Sequence, residues 1–161
     1  MLVVGVGNRD RGDDGAGLVA ASRLGAAAGV PVALLDAAGD GTVLLDAWRG
    51  ADTVIVLDAM RSGAAAGTVR RLDAGPEHRP AEVAAHLGAG ALGVSTHGLG
   101  VAEAVALSDA LGRLPRRLII LGIEGACFDA GADLSPEVAR AVDGAVRLGL
   151  EEVADVPRPA R

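Results

Sequence analysis

Acidic side chains occupy the loop after the first apolar segment, where a nucleotide-binding protein would carry phosphate-binding glycines. The segment ends in Gly5-Val6-Gly7 and leads into a predicted helix, as a G-x-G-x-x-G fingerprint does. The third glycine of that fingerprint would fall at position 10, which is Asp10. Asp13 and Asp14 stand at the mouth of the helix, where two acids would repel a phosphate. The loop therefore favours a cation over a nucleotide.

A second acid and a histidine follow later in the chain. Asp58 comes directly after the apolar run at residues 53–57, where an acid is more often functional than structural. His97 lies just before a predicted helix. Structural explanations also exist, since a lone histidine is usually a satisfied surface or core residue. Asp13 and Asp14 could each cap the first helix, which is worth about 0.3–1 kcal/mol, and we expect this role for Asp13.

The spacing of apolar residues predicts the elements that position these side chains. Strand-length apolar runs alternate with helical segments, and this order predicts a parallel sheet with right-handed crossovers. Residues 67–72 follow Asp58 too closely for a helical crossover, so they predict an antiparallel edge strand. We expect an α/β fold of three layers, α/β/α, with a mostly parallel, mixed five-stranded sheet. The predicted strands are 2–6, 32–35, 53–57, 67–72 and 118–123, and the predicted helices are 15–24, 42–48, 82–87, 99–111 and 135–153.

This arrangement brings three separated positions to one edge of the sheet. Asp14 follows the first strand, Asp58 ends the third, and His97 precedes a helix that packs back on the sheet. Ligands of open parallel sheets bind beyond the carboxyl ends of the strands. Two carboxylates and one imidazole there form a three-ligand set that leaves room for water or substrate, as catalytic metal sites require.

Length and composition indicate one domain and exclude several classes of function. The 161 residues suit one domain, which we place at residues 1–154, with a frayed tail at 155–161. A formal charge of −6 without a long basic run argues against a nucleic-acid partner. The single Cys127 cannot form an internal disulfide, and we expect it to be a small buried hydrophobe and not a nucleophile. No targeting segment and no membrane-spanning run is visible, so we expect a cytoplasmic protein.

The motifs of the chain resemble those of the hydrogenase maturation endopeptidases. That family opens with a strand, then G-[IV]-G-N, then D-D-G or D-E-G-x-G. Residues 5–8 and 11–17 reproduce this pattern. Further matches follow in order in the strand that ends in Asp58-Ala59, in Ser95-Thr96-His97, and in the closing region at residues 121–124 and 134–138. The resemblance extends over nearly the whole chain, to about residue 153.

The resemblance implies an endopeptidase that removes the C-terminal extension of a nickel-loaded large-subunit precursor of a nickel-iron hydrogenase. The family positions that match Asp14, Asp58 and His97 bind metal, so these three residues are the expected catalytic and metal-binding set. The nickel would be recognised in the precursor, and we expect no tightly held metal of the enzyme's own, although other divalent ions could occupy the site. Both a metal-activated water and a carboxylate base fit this set.

Two alternatives use some of the same residues. A non-catalytic, metal-dependent docking protein or chaperone for the hydrogenase precursor would need the same ligands without cleavage. A peptidyl-tRNA hydrolase also opens with the residue types of Gly5, Gly7 and Asn8. That family continues with a His-Asn pair where this chain has Asp13 and Asp14, and it needs a basic surface for tRNA, so this alternative is disfavoured.

Overall fold

A computed structural model describes residues 1–38, 41–87 and 100–156 of the chain. A 3-10 turn at Gly12–Gly15 leads directly into the first helix. The strands are β1 (Leu2–Val6), β2 (Ala33–Ala37), β3 (Thr53–Met60), β4 (Val69–Asp73) and β5 (Arg117–Glu124). The helices are α1 (Ala16–Ala27), α2 (Gly41–Ala47), α3 (Pro80–Leu87), α4 (Val101–Ala110) and α5 (Pro136–Ala154).

The five strands form one mixed sheet in the order β2-β1-β3-β5-β4. The β1–β2, β1–β3 and β3–β5 pairs are parallel. Strand β4 runs antiparallel to β5, with Val69 opposite Ile123 and Asp73 opposite Ile119. The mostly parallel sheet and its antiparallel edge strand therefore confirm the fold predicted from the sequence.

Helices cover both faces of the sheet, because successive side chains of the buried strands point to opposite sides. Val3 packs into the core under α1 and α5, together with Leu24 and Val142. Its neighbour Val4 packs into the other core, under α2, α3 and α4. The only tryptophan, Trp48, is buried in that second core, and its indole N–H donates to Ser108 Oγ at 2.9 Å. The predicted three layers are thus present.

Strand β3 is longer than its apolar run, and this corrects the predicted place of Asp58. The strand continues to Met60 instead of ending at residue 57, because its parallel pairing with β5 persists as far as Met60 opposite Glu124. Asp58 therefore lies within β3, opposite Gly122. On its other side, β3 pairs with β1 only as far as Leu57, which lies opposite Gly5 and directly precedes Asp58. Asp58 is consequently the first residue of β3 beyond its pairing with β1.

Among the helices that the structure describes, none is both long and apolar enough to cross a membrane.

Candidate active site

A crevice between the carboxyl ends of β1 and β3 forms the centre of the site. The chain leaves β1 through α1 towards β2 on one side, whereas β3 lies on the other side of β1. Such a reversal of strand order opens a cleft, and open α/β sheets bind their ligands there. Asp58 lies at this reversal, on the strand that borders the cleft.

Two glycines let the loop after β1 pack tightly over the crevice. Gly7 has a φ of +129°, and a Cβ there would lie 1.8 Å from the carbonyl oxygen of Asp14. A Cβ on Gly17 would lie 2.3 Å from the carbonyl oxygen of Leu57. The first turn of α1 therefore sits against the end of the β3 segment that pairs with β1. Side chains larger than hydrogen at these positions would push Asp14 away from β3.

The carboxylate of Asp14 is close enough to that of Asp58 to disturb its ionisation. Burial and the negative charge of Asp14 raise the pKa of Asp58 to about 7, although a hydrogen bond from the Ala59 N–H opposes the rise. Burial also raises the pKa of Asp14, against the opposing effects of the Asn8 N–H and the charges of Arg11 and Arg61. Two acids with raised pKa values in one cleft are typical of a functional site.

The third predicted residue, His97, lies outside the described residues. The described residue nearest to it on its C-terminal side is Gly100, which caps the N-terminus of α4. Because α4 leads back to the start of β5, its N-terminal end lies towards the edge of the sheet that carries Asp58. Within residues 1–38, 41–87 and 100–156, no group of three or more His, Cys, Asp and Glu side chains could hold a metal ion. In the described part of the chain, the candidate site therefore consists of two acids, Asp14 and Asp58.

Asp13 does not cap the first helix, and the expectation of that minor role was wrong. The side chain is fully buried, and α1 has no side-chain cap. The carboxylate instead accepts N–H bonds from Ala126 and Cys127, both at 2.8 Å, and both an N–H and an O–H bond from Ser135. Burial acts to raise the pKa of Asp13, but these hydrogen bonds hold it below its usual value. Asp13 therefore joins the loop after β1 to the loop between β5 and α5.

The start of α5 follows from the same contact. Ser135 is the N-cap and Pro136 the first helical residue, as the sequence predicts. The Ser135 hydroxyl, however, donates to Asp13 Oδ2 at 3.0 Å and does not cap its own helix. The backbone adds to this junction, since the Gly12 N–H donates to Ala132 O at 3.0 Å and the Asp13 N–H donates to Cys127 O at 2.8 Å.

Glu124 holds the loop after β3 by accepting hydrogen bonds, as Asp13 does for the loop between β5 and α5. This residue was not among those singled out from the sequence. This buried residue ends β5, and its carboxylate accepts bonds from the Ser62 N–H and hydroxyl and from the Gly63 N–H, at 2.7–3.0 Å. An acid that ends a buried apolar strand is the signal that singled out Asp58, and it applies equally to Glu124. The two acids differ in their partners, which only the folded chain reveals.

The two remaining histidines and the cysteine contact other partners than the acid pair. The ring of His78 lies 3.5 Å from Asp73, and the Nδ1 of His86 lies 2.7 Å from the carbonyl oxygen of Glu82 in its own helix. We expected Cys127 to be a buried residue, but it is only partly buried. Its Sγ lies 3.7 Å from a carboxylate oxygen of Asp129. No His-Cys pair that could activate the thiol is present among these contacts.

Comparisons of sequence find relatives along nearly the whole chain. The family model described as hydrogenase maturation protease matches residues 20–152. A hydrogenase expression/formation protein HupD from Thiocapsa roseopersicina is 32% identical over 164 residues, which cover 100% of this chain and 71% of the relative. A protein of the same description from Rhodobacter capsulatus is 30% identical and covers 95% of this chain and 70% of its own length.

Comparisons of structure agree on the fold. The hydrogenase maturating endopeptidase HybD from E. coli superposes with a TM-score of 0.70 at 24% identity, over 96% of this chain and 91% of that one. A hydrogenase 2 maturation peptidase from a Thaumarchaeota archaeon superposes with a TM-score of 0.67 at 27% identity, over 95% of this chain and 97% of that one.

Proposed function

The chain belongs to the hydrogenase maturation protease family, and we propose that it removes the C-terminal extension of a nickel-loaded large-subunit precursor of a nickel-iron hydrogenase. Membership in this family implies an endopeptidase, a hydrolase that acts on peptide bonds. The observation that carries the proposal is the pair of acids, Asp14 and Asp58, at the reversal of strand order. Such a pair suits both the hydrolysis of a peptide bond and the recognition of a cation on the substrate.

The donor set fits a metal ion that arrives with the substrate. Asp14 and Asp58 repel each other when both are ionised, and a divalent cation between them would relieve that repulsion. His97 would supply an imidazole, which is a good ligand for nickel. Three ligands with an open side form an incomplete cage, so the enzyme alone should hold metal weakly. The remaining ligands would come from the precursor.

The two carboxylates can also take part in the chemistry directly. Without a cation bound to it, Asp58 has a pKa of about 7 and can accept a proton from an attacking water near neutral pH and return it to the leaving amine. The pKa of Asp14 is also raised, although the charges of Arg11 and Arg61 oppose the rise. A bound cation would favour the ionised form of both carboxylates, which would then hold and orient it. A bound metal would polarise the scissile carbonyl and lower the pKa of a bound water. We propose Asp14, Asp58 and His97 as both the metal-binding and the catalytic residues.

Incubation of the purified protein with nickel-loaded and nickel-free precursor, followed by intact mass, tests this function. We expect truncation of the nickel-loaded precursor only. The Asp14→Ala, Asp58→Ala and His97→Ala variants should fold but fail to cleave. Asp46→Ala is the matched control, because this acid on α2 is 85% exposed. Cleavage of nickel-free precursor, or of casein in the presence of chelator, would contradict the proposal and indicate a self-sufficient peptidase.

The same experiment separates cleavage from docking. A non-catalytic chaperone would bind the nickel-loaded precursor and leave its mass unchanged. The family match and the acid pair favour cleavage over this alternative.

A further inference from the structure

Two arginines at the rim of the crevice are held in place without a salt bridge to any carboxylate of the described residues. Arg11 lies in the loop after β1 and Arg61 in the loop after β3. Neither forms a salt bridge with any carboxylate in the part of the chain that the structure describes. Arg9, in the same loop as Arg11, is instead paired with Asp36 at 3.0 Å. In a chain with a formal charge of −6, two such cations beside one site need an explanation.

Both guanidinium groups are fixed on the same residue, Phe128. The Arg61 guanidinium lies over the Phe128 ring, 3.8 Å from its centroid. The Arg11 Nε and Nη2 both donate to the Phe128 carbonyl oxygen at 3.4 Å. Phe128 itself has little freedom, since it packs so closely on Gly125 that a Cβ there would lie 2.4 Å from its Cζ. Stacking on a ring leaves the N–H edge of the Arg61 guanidinium available, and Arg11 keeps its Nη1.

Buried acids hold the three loops that carry these side chains. Glu124 binds Ser62 and Gly63, immediately after Arg61. Asp13 binds the backbone N–H of Cys127, immediately before Phe128, and lies two residues after Arg11 in its own loop. The arrangement is therefore organised before any ligand binds, which lowers the entropic cost of binding.

The charges of these arginines act on the site itself. Both Arg11 and Arg61 are close enough to influence Asp14. A substrate segment bound beside Asp14 would therefore lie within range of the charges of both guanidinium groups. The ligand that best matches planar N–H edges is a carboxylate, which arginine binds through paired, charge-assisted hydrogen bonds.

We propose that Arg11, Arg61 and Phe128 form a subsite for an acidic side chain of the substrate, close to the bond that is cut. The subsite rests on the proposed function, in that its ligand is part of the cleaved precursor. It makes the enzyme select a peptide that carries a carboxylate next to the metal, and it contributes to binding and not to the proton transfers.

Steady-state cleavage of nickel-loaded precursor by Arg61→Gln tests the subsite. We expect KM to rise roughly tenfold, as the loss of one charge-assisted pair predicts, with kcat changed less than twofold. The thermal midpoint should move by at most a few degrees, because Arg61 is exposed and loses only its stacking on Phe128. Arg113→Gln is the matched control, since Arg113 is exposed, has no salt bridge to a described carboxylate, and precedes β5 at the opposite edge of the sheet.

The substrate side of the pair is found by neutralising the precursor's acids near the cut, one at a time. One of these substitutions should raise KM for the wild type and have no additional effect on Arg61→Gln, because both changes remove the same contact. An unchanged KM for Arg61→Gln would overturn the subsite, and so would additive effects for every acid tested.

A second measurement needs no cleavage and separates the two proposals. Blocked glutamate and blocked glutamine are titrated into the full-length protein while the arginine Nε–Hε signals are followed by NMR. Glutamate should shift the signals of Arg11 and Arg61 more than glutamine does, and neither should shift Arg113. Equal shifts with the two probes overturn the subsite. A wild type that leaves every precursor intact but passes this test overturns only the proposed function.

Discussion

Replacing Asp58 with asparagine should make the protein more stable at alkaline pH. The pKa of this acid is raised by burial and by Asp14 from its ordinary value of 3.8 to about 7 in the folded chain. Between these two values the folded protein binds a proton that the unfolded chain has already released. The contribution of Asp58 to wild-type stability must therefore fall as the pH rises from about 4 to above 7. Asparagine has no such proton, so Asp58→Asn escapes this loss.

The size of the effect follows from the pKa difference of roughly three units. At 1.36 kcal/mol per unit, full ionisation of Asp58 costs the folded state about 4 kcal/mol at pH 8 and under about 1 kcal/mol at pH 4. The free energy of unfolding of Asp58→Asn, relative to wild type, should therefore be about 3–4 kcal/mol more favourable at pH 8 than at pH 4. Comparing two pH values removes any effect of the substitution that does not depend on pH.

Urea unfolding in the presence of a chelator measures this difference. Trp48 is the only tryptophan and is buried, so its fluorescence reports on the whole transition. The same comparison in an Asp14→Asn background should give a smaller but still substantial gain, because burial is the larger cause of the shift and the charge of Asp14 the second. A relative stability of Asp58→Asn that is the same at both pH values would refute the reasoning.

Other predictions concern the loops around the site. Asp13→Ala should lower the free energy of unfolding by about 3 kcal/mol or more, since it removes the acceptor of buried donors. Replacing the exposed Asp133 with alanine should change that free energy by no more than about 0.5 kcal/mol. Equal urea midpoints for the two variants would contradict this prediction. Glu124→Gln should speed tryptic cleavage after Arg61, because the loop loses charge-assisted bonds, and an unchanged digestion rate would argue against that role. Deleting residues 156–161 should leave the thermal midpoint within about a degree, and a fall of several degrees would show that the tail docks.

The sheet could be predicted from the sequence because its signals are local. Strands β1, β3 and β5 are buried on both faces, so they read as continuous apolar runs. The antiparallel direction of β4 followed from a connection too short for a crossover. The edge strand β2 is largely exposed and has a weaker pattern, and its predicted range was displaced from the observed Ala33–Ala37.

The supports of the site could not be predicted, because their partners are distant in sequence. Asp13 binds residues 113 to 122 positions away, and Glu124 binds residues 61 and 62 positions away. A sequence pattern can mark an acid as unusual, but it does not show which N–H groups the fold will bring to it. For the same reason the helix-capping role expected for Asp13 was wrong, although the place of Asp14 at the same turn was anticipated.

Asp13 and Asp14 are neighbours of identical chemistry in opposite environments, and the contrast separates support from function. Asp13 has four hydrogen bonds to its carboxylate and a lowered pKa, so the fold gains stability from its charge. Asp14 and Asp58 have raised pKa values, and the charge of Asp14 acts on Asp58, so their ionisation destabilises the fold. Charges that destabilise the fold are typical of functional sites, where a bound ligand can offset them. The cation that we propose on the substrate is such a ligand. Asp13 holds the loop that carries Asp14 in place before this cation binds.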